Sequence, residues 1–232
     1  MARGDRAMTP MPAPPPPACS KGKVTTPRRR HSRSPATAGD VSATGNIARN
    51  NIIGVSPLGE PAPLTGWGFK IRWNTTHDTI QANTIRNAAL GGVGMVNTTN
   101  TGGAFSAAFN IRITQNIITD TPGLAIQLFG GANDNILPPV ISSATTSAVT
   151  GTAVASATIE VYHGTRAAGQ NGLPDIYLGS TVAGTSGAWT FNLPAGLPTG
   201  YVITALQIRP DDTTSQLAAN VALGAAAQTA PA

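Results

Sequence analysis

Three acidic residues in the middle of the chain are the first candidates for chemistry, since paired carboxylates can act as acid and base or bind calcium. They are Asp78, Asp120 and Asp134. Asp78 precedes a predicted strand, whereas Asp120 follows one at a corner, so their spacing does not place them on one stripe. Turn chemistry alone explains an aspartate at a corner, because its side chain can bond the backbone there. The sequence therefore predicts no catalytic residue.

Histidines and the remaining acids give two further candidate groups. His77 and His163 lie in different halves of the chain, without an acid and a nucleophile at the spacing of a catalytic triad. Asp175, Asp211 and Asp212 could meet at a loop end and bind calcium, because hard cations take clustered carboxylates. Solvated loops are the alternative interpretation. No cofactor is predicted, and calcium is the metal that these residue types leave open.

A run of aromatic and basic residues gives one candidate ligand surface. Trp67 and Trp73 share one face of a predicted strand, while Lys70 and Arg72 fall on the other. In one interpretation the aromatic face belongs to the core. In the other, an edge tryptophan stacks on a sugar ring while Lys70, Arg72 and Arg112 meet an acidic polysaccharide. Both interpretations remain open.

The net charge of +5 suggests a nucleic-acid partner until the charges are located. Residues 1–35 hold eight basic residues and one acid, while residues 36–232 hold seven and nine. A nucleic-acid-binding surface is therefore not predicted for the folded part. Residues 1–40 are predicted to be a disordered Pro/Arg-rich tail, because they offer little apolar surface to offset the entropy of ordering. A nucleic-acid arm, a polyproline ligand and an adhesion tripeptide remain open alternatives for this tail.

Cysteine usage and hydropathy limit the remaining classes of protein. Cys19 is the only cysteine, so the chain has no intramolecular disulfide and no cysteine-built metal site. No stretch of about 18 apolar residues is present, so no membrane-spanning helix is predicted. No signal peptide is visible in the chain.

An internal repeat appears from about residue 44, where the composition changes to Asn, Ile, Gly and Thr. Three copies of an asparagine motif are each followed, after a variable turn, by a short alternating strand. The motifs are Asn51–Ile53, Asn83–Ile85 and Asn116–Ile118, and the strands are 68–71, 92–95 and 125–128. The second and third copies match without a gap at an offset of 33. Their period-two apolar positions predict strands with one buried face.

Asparagine suits the corners of such a repeat, because it tolerates the left-handed region and its amide can bond an equivalent asparagine one coil away. Strands at a fixed period with such corners indicate a solenoid whose coils cover one another's apolar faces. Residues 44–136 resemble the right-handed parallel β-helix of pectate-lyase-like proteins, with about three coils. No capping helix precedes the first coil, so the chain is expected to be the C-terminal part of a longer β-helix.

The repeat ends at Leu137-Pro138-Pro139, because proline removes ladder donors. Seven alternating runs follow and predict an antiparallel β-sandwich over residues 137–223. Its predicted inward residues are Val149, Ile159, Val161, Tyr177, Trp189, Phe191, Val202, Thr204 and Leu206. The segment resembles bacterial Ig-like domains, through runs such as Ala157–Tyr162 and Gly187–Phe191. Residues 224–232 are predicted to be a second disordered tail.

The predicted fold class is therefore all-β, with a partial parallel β-helix followed by an Ig-like sandwich. These resemblances imply a non-enzymatic exported protein, extracellular or at the cell surface, with a structural or adhesive role. Polysaccharide or another cell-surface polymer is the implied partner. The alternative is the remnant of a polysaccharide lyase or glycoside hydrolase whose catalytic coils lie upstream. The oligomeric state is not predicted.

Overall fold

The computed structural model describes residues 39–41, 44–72, 75–96 and 108–224. These residues form β-strands, turns and one short 3₁₀ helix at Ala132–Asn135. The predicted all-β fold is therefore confirmed. The predicted tails lie outside the described residues except at their inner ends, where Gly39 and Asp40 belong to a strand and Gly224 to a turn. Trp73 also lies outside the described residues.

The N-terminal region, which we call the coil stack, consists of short strands in three parallel sheets. Its strands are β1 (Gly39–Val41), β2 (Ile47–Arg49), β3 (Ile52–Ile53), β4 (Trp67–Arg72), β5 (Thr79–Gln81), β6 (Thr84–Ile85), β7 (Gly91–Val96), β8 (Arg112–Thr114), β9 (Ile117–Ile118) and β10 (Leu124–Leu128). The sheet orders are β1-β4-β7-β10, β2-β5-β8 and β3-β6-β9. The first coil comprises β2, β3 and β4, the second β5, β6 and β7, and the third β8, β9 and β10.

The predicted repeat sets the register between coils. Residues predicted to correspond at an offset of 33 lie side by side on neighbouring strands, and they include Ile80 with Ile113, Ile85 with Ile118, and Val93 with Ile126. All six side chains are almost fully buried and belong to one hydrophobic core. Each coil therefore covers the apolar residues of the coil beside it.

Left-handed residues turn the chain between the sheet that contains β2 and the sheet that contains β3. They are Asn50, Ala82 and Gln115, with φ angles of 57°, 51° and 55°. The sequence interpretation assigned this conformation to the motif asparagines, but in each coil it belongs to the residue just before them. Ala82 is strained at this position, because a left-handed L-residue brings its Cβ close to a carbonyl oxygen, at a cost of about 1–2 kcal/mol.

The C-terminal region, which we call the two-sheet region, is antiparallel. Its strands are β11 (Val140–Ala144), β12 (Ala148–Thr152), β13 (Thr158–Gly164), β14 (Pro174–Val182), β15 (Ala188–Asn192), β16 (Val202–Ile208) and β17 (Val221–Ala222). One sheet has the order β11-β12-β15 and the other β14-β13-β16-β17. The seven strands correspond to the seven predicted runs, with boundaries that differ by a few residues. A hydrophobic core that includes Ile159 and Trp189 lies between the two sheets.

The sheet that contains β13 and β16 is buried on both faces. Ile203 and Ala205 of β16 pack into the core between the two sheets. Leu206 and Ile208 belong instead to the core of the coil stack. The prediction of inward residues is therefore wrong for Leu206 and for Tyr177, which packs against the same core. A strand covered on both faces carries apolar residues at successive positions, so alternation cannot tell its two faces apart.

Candidate functional site

An asparagine ladder runs through the three coils. The Oδ1 atom of Asn83 accepts hydrogen bonds from the backbone N–H and the side-chain amide of Asn51, at 3.0 and 2.9 Å. Asn116 accepts the same pair of bonds from Asn83, again at 3.0 and 2.9 Å. The prediction that motif asparagines bond from coil to coil is confirmed.

Asp78 occupies an equivalent ladder position at another corner. Its Oδ1 atom accepts hydrogen bonds from the backbone N–H and the side-chain amide of Asn46, at 2.7 and 3.1 Å. Its Oδ2 atom is buried without a hydrogen-bond partner, and the residue is 2% exposed. Burial, opposed by the Asn46 bonds, raises the pKa of the Asp78 carboxyl. The arrangement gives Asp78 a structural role in the ladder.

We expect Asp78→Asn to stabilise the protein at pH 7.5 by about 1 kcal/mol, because an amide removes a buried charge and keeps the acceptor for Asn46. A raised pKa means that the folded protein binds the proton more readily than the unfolded chain. The contribution of Asp78 to wild-type stability should therefore fall as the pH rises from about 4 through its folded pKa. Urea unfolding at pH 4 and 7.5 should show the advantage of Asp78→Asn shrinking at the lower pH. An equal advantage at both values would contradict this account.

The third coil ends against the two-sheet region at a group of polar residues that we call the cap junction, namely Thr114, Gln115, Glu160, Tyr162 and Thr214. The Gln115 N–H donates to Glu160 Oε2 and to the Tyr162 hydroxyl, each at 3.0 Å. The Thr114 hydroxyl donates to Glu160 Oε1, and the Tyr162 hydroxyl donates to Glu160 Oε2 at 2.5 Å. Glu160 is only 2% exposed, and these donors satisfy its carboxylate.

Glu160 takes the place of a further coil. In the first two coils the corner N–H donates to a carbonyl of the next coil, from Asn50 to Gln81 at 3.2 Å and from Ala82 to Thr114 at 3.1 Å. The equivalent donor in the third coil is the Gln115 N–H, which reaches Glu160. Burial, and secondly the Glu160 charge, raise the pKa of the Tyr162 hydroxyl well above its ordinary value. Tyr162 therefore remains a donor over the whole neutral range.

Thr214 likewise bonds backbone groups at the edge of β8 that a further coil would otherwise bond. Its hydroxyl accepts a hydrogen bond from the Ile113 N–H at 2.9 Å, and its own N–H donates to the Ile111 carbonyl at 3.2 Å. Asn133 holds both Ile111 and Thr214, because its amide donates to their carbonyls at 2.9 Å each. The edge of β8 is thus bonded by a loop of the two-sheet region.

Arg166 bonds the last corner of the coil stack. Its Nη2 atom donates to three successive backbone carbonyls, those of Thr121, Pro122 and Gly123, at 3.0, 3.0 and 2.6 Å. Carbonyls at a terminal corner would otherwise lack the donors that a following coil provides. Sequence reasoning assigned no role to Glu160, Thr214 or Arg166.

The acids proposed for calcium are engaged with basic residues. Asp212 bonds Arg112 at 2.7 Å, Asp211 bonds Arg209 at 2.6 Å, and Asp175 contacts His163 at 2.6 Å. The Arg209 guanidinium lowers the pKa of Asp211 to about 2. Among the described residues, no three His, Cys, Asp or Glu side chains are grouped closely enough to hold a metal ion.

The three acids that the sequence analysis considered first also lie apart from one another. Asp120 lies 4.0 Å from Arg86, and Asp134 bonds Arg209 at 2.7 Å. Asp78 belongs to the ladder described above. Asp78, Asp120 and Asp134 therefore contact different residues and do not share one site.

The Trp67 side chain does not pack into the core, although alternation along its strand places it on the same face as Phe69. It is 6% exposed, yet it lies outside the hydrophobic core that contains Phe69. A Cβ atom at Gly94 would lie 2.5 Å from the indole, and Gly94 stands between Lys70 and Gln127 in the sheet. The indole therefore covers the outer surface of the sheet where Gly94 has no side chain.

Lys70 and Arg72 are half-exposed on β4, two positions apart, so they share one face of the strand. Arg112 lies in a different sheet and is paired with Asp212. The ring of Phe129 meets Trp67 edge to face, with centroids 6.1 Å apart. Of the five predicted ligand residues, the structure thus groups Trp67, Lys70 and Arg72, and Trp67 has little surface left for stacking on a sugar.

No protein-family model matches this chain, and no curated protein sequence matches it. The case for function therefore depends on the geometry alone. Within the described part of the chain, no helix has the length and apolar character needed to cross a membrane.

Proposed function

We propose that the chain is a non-enzymatic structural or adhesive protein, in which a partial right-handed parallel β-helix is closed at its C-terminal end by an Ig-like sandwich. The cap junction is the observation that carries the proposal. Glu160 and Thr214 accept the hydrogen bonds that a further coil would otherwise accept. Such a junction suits a rigid rod with a fixed end, as in exported surface or secreted proteins.

The use of the carboxylates supports a non-enzymatic role. Glycoside hydrolysis needs two carboxyl groups facing a shared space, and calcium-dependent cleavage needs several. Asp78 is held in the ladder, Asp120 and Asp134 lie in ion pairs, and Glu160 is buried in the cap junction. The alternative of a polysaccharide lyase or hydrolase then requires catalytic residues from outside the described coils.

Lys70 and Arg72 are the proposed contact for an acidic polysaccharide. Replacing both with glutamate should weaken binding about tenfold or more, because two basic side chains on one strand face, each contributing up to about 1 kcal/mol, become acidic and repel the polymer. Arg112→Gln is the matched control. It also removes a basic side chain, but Arg112 lies on β8, in a different sheet from Lys70 and Arg72 on β4, so binding should be unchanged.

The test is binding of the full chain to an array of acidic and neutral polysaccharides, with release of reducing or unsaturated ends measured on the same samples. Binding without release, lost in the Lys70→Glu/Arg72→Glu variant, would support the adhesive role. Release of sugar ends would favour the enzyme. Binding that the double variant leaves intact would remove this surface from the proposal.

A further inference from the structure

The loop between β13 and β14 holds Arg166, which bonds the last corner of the coil stack. The Asn220 side chain donates to the Arg166 carbonyl at 2.5 Å, and the Asn220 N–H donates to the Gln170 carbonyl at 2.7 Å. Beside them, Asn171 forms an isolated antiparallel bridge with Ala219. The Arg166 guanidinium also donates to the Asn171 carbonyl, at 3.4 Å. Asn171 is therefore part of the structure that places Arg166 against the coil stack.

Asn171 is followed by Gly172, and the sequence contains no other Asn-Gly pair. An asparagine side chain cyclises when the backbone nitrogen of the next residue attacks its amide carbon. The reaction is fastest before glycine, because no Cβ atom hinders the approach and the backbone rotates more freely. Asn171 is exposed, so several rotamers are open to its side chain. The residue types and the exposure thus favour cyclisation at this pair.

The attacking nitrogen is weakly held in the folded chain. The Gly172 N–H donates to the Ala218 carbonyl at 3.4 Å, longer than the usual range of about 2.7–3.2 Å. The fold nevertheless requires glycine at this position, since a Cβ atom would lie 2.4 Å from the hydroxyl oxygen of Thr204. Close packing therefore keeps the residue that makes the preceding asparagine reactive.

We propose that Asn171 is a site of spontaneous deamidation through a succinimide. The Gly172 nitrogen forms a bond to Cγ of Asn171, the Cγ–Nδ2 bond breaks, and the Gly172 proton leaves with the side-chain nitrogen as ammonia. Water then opens the ring at one of its two carbonyls and gives aspartate or isoaspartate. One water is consumed and one ammonia is released, so the reaction needs no oxidant, reductant or cofactor.

The two products act differently on the loop. Aspartate keeps the course of the backbone and adds a negative charge next to the carbonyl that Arg166 bonds. Isoaspartate carries the main chain through the former side chain and lengthens it by one methylene group. The longer chain shifts the bridge to Ala219 out of register. Isoaspartate should therefore loosen the hold of Arg166 on the last corner, whereas aspartate should preserve it.

Mass spectrometry of the full chain, aged in heavy-oxygen water at mildly alkaline pH and then digested, tests the proposal. The peptide that contains Asn171 should take up one heavy oxygen and separate into an aspartate and an isoaspartate form. Asn192 is the matched control within the same chain, because it is also exposed but precedes Leu193, whose N–H bonds the Ser147 carbonyl at 2.8 Å. Asn192 should convert at least about tenfold more slowly.

Two variants complete the experiment. Asn171→Gln should block the reaction, since glutamine would have to form a larger ring, and circular dichroism should show that this variant folds. The isoaspartate fraction of the aged chain should unfold at a lower urea concentration than Asn171→Asp. An Asn171 that stays intact, or that converts no faster than Asn192, would overturn the proposal. Equal urea midpoints for isoaspartate and Asn171→Asp would overturn the loosening of the loop.

Discussion

Replacing Glu160 with leucine should lower the free energy of unfolding by about 3–5 kcal/mol. The carboxylate accepts from Thr114, Gln115 and Tyr162, and the bonds from Thr114 and Tyr162 are fully buried. Leucine fills a similar volume but accepts no bond, so each buried donor left without a partner costs about 1–3 kcal/mol. Urea unfolding followed by tryptophan fluorescence measures the change.

Two controls separate the cap junction from a general effect of removing a glutamate. Glu160→Gln keeps the shape and one acceptor oxygen, so its loss should be smaller, about 1–2 kcal/mol. Glu60 is exposed on a loop, and Glu60→Leu should change stability by less than about 0.5 kcal/mol. Unchanged stability in Glu160→Leu would show that Glu160 does not hold the third coil.

Asn83→Ala should cost about 3 kcal/mol, because Asn83 is the buried centre of the ladder. Its side chain accepts two hydrogen bonds from Asn51, donates to Asn116 at 2.9 Å and donates to the Ala48 carbonyl at 3.0 Å. Alanine removes all four bonds and leaves the buried Asn116 oxygen with one donor fewer. Chemical denaturation at neutral pH is the measurement.

Asn51→Ala is the matched control for the ladder. Asn51 has the same residue type and the same position in the first coil, but it is exposed, so water can replace the bonds that its side chain loses. We expect a loss below about 1 kcal/mol. Equal losses in the two variants would mean that the ladder contributes through local turn geometry and not through the buried bonds between coils.

The repeat and its ladder could be predicted because their signals are local. An offset of 33 can be seen in a single sequence, and Asn83 and Asn116 fall at equal positions in their copies. The alternation of β7 and β10 is also visible, since only one face of each strand meets the core. These features follow from strand geometry and need no knowledge of distant residues.

Contacts across long separations could not be predicted in this way. Glu160 bonds residues about 45 positions earlier, and Thr214 bonds Ile113 across 101 positions. Trp67 covers Gly94 because a glycine happens to lie on the neighbouring strand. One signal could have been used. The unbroken apolar character of β16 is typical of a strand buried on both faces, and it indicates a second packing partner for that sheet.

Because of the cap junction, the number of coils can change without a change in the contacts that end the coil stack. Glu160, Thr214 and Arg166 all bond residues of the third coil or its last corner. An extra 33-residue coil inserted between the second and third would leave these bonds unchanged and add about 4.8 Å, the spacing of neighbouring strands. Rods of different reach could therefore share one terminus, and the distance they span would vary by whole coils.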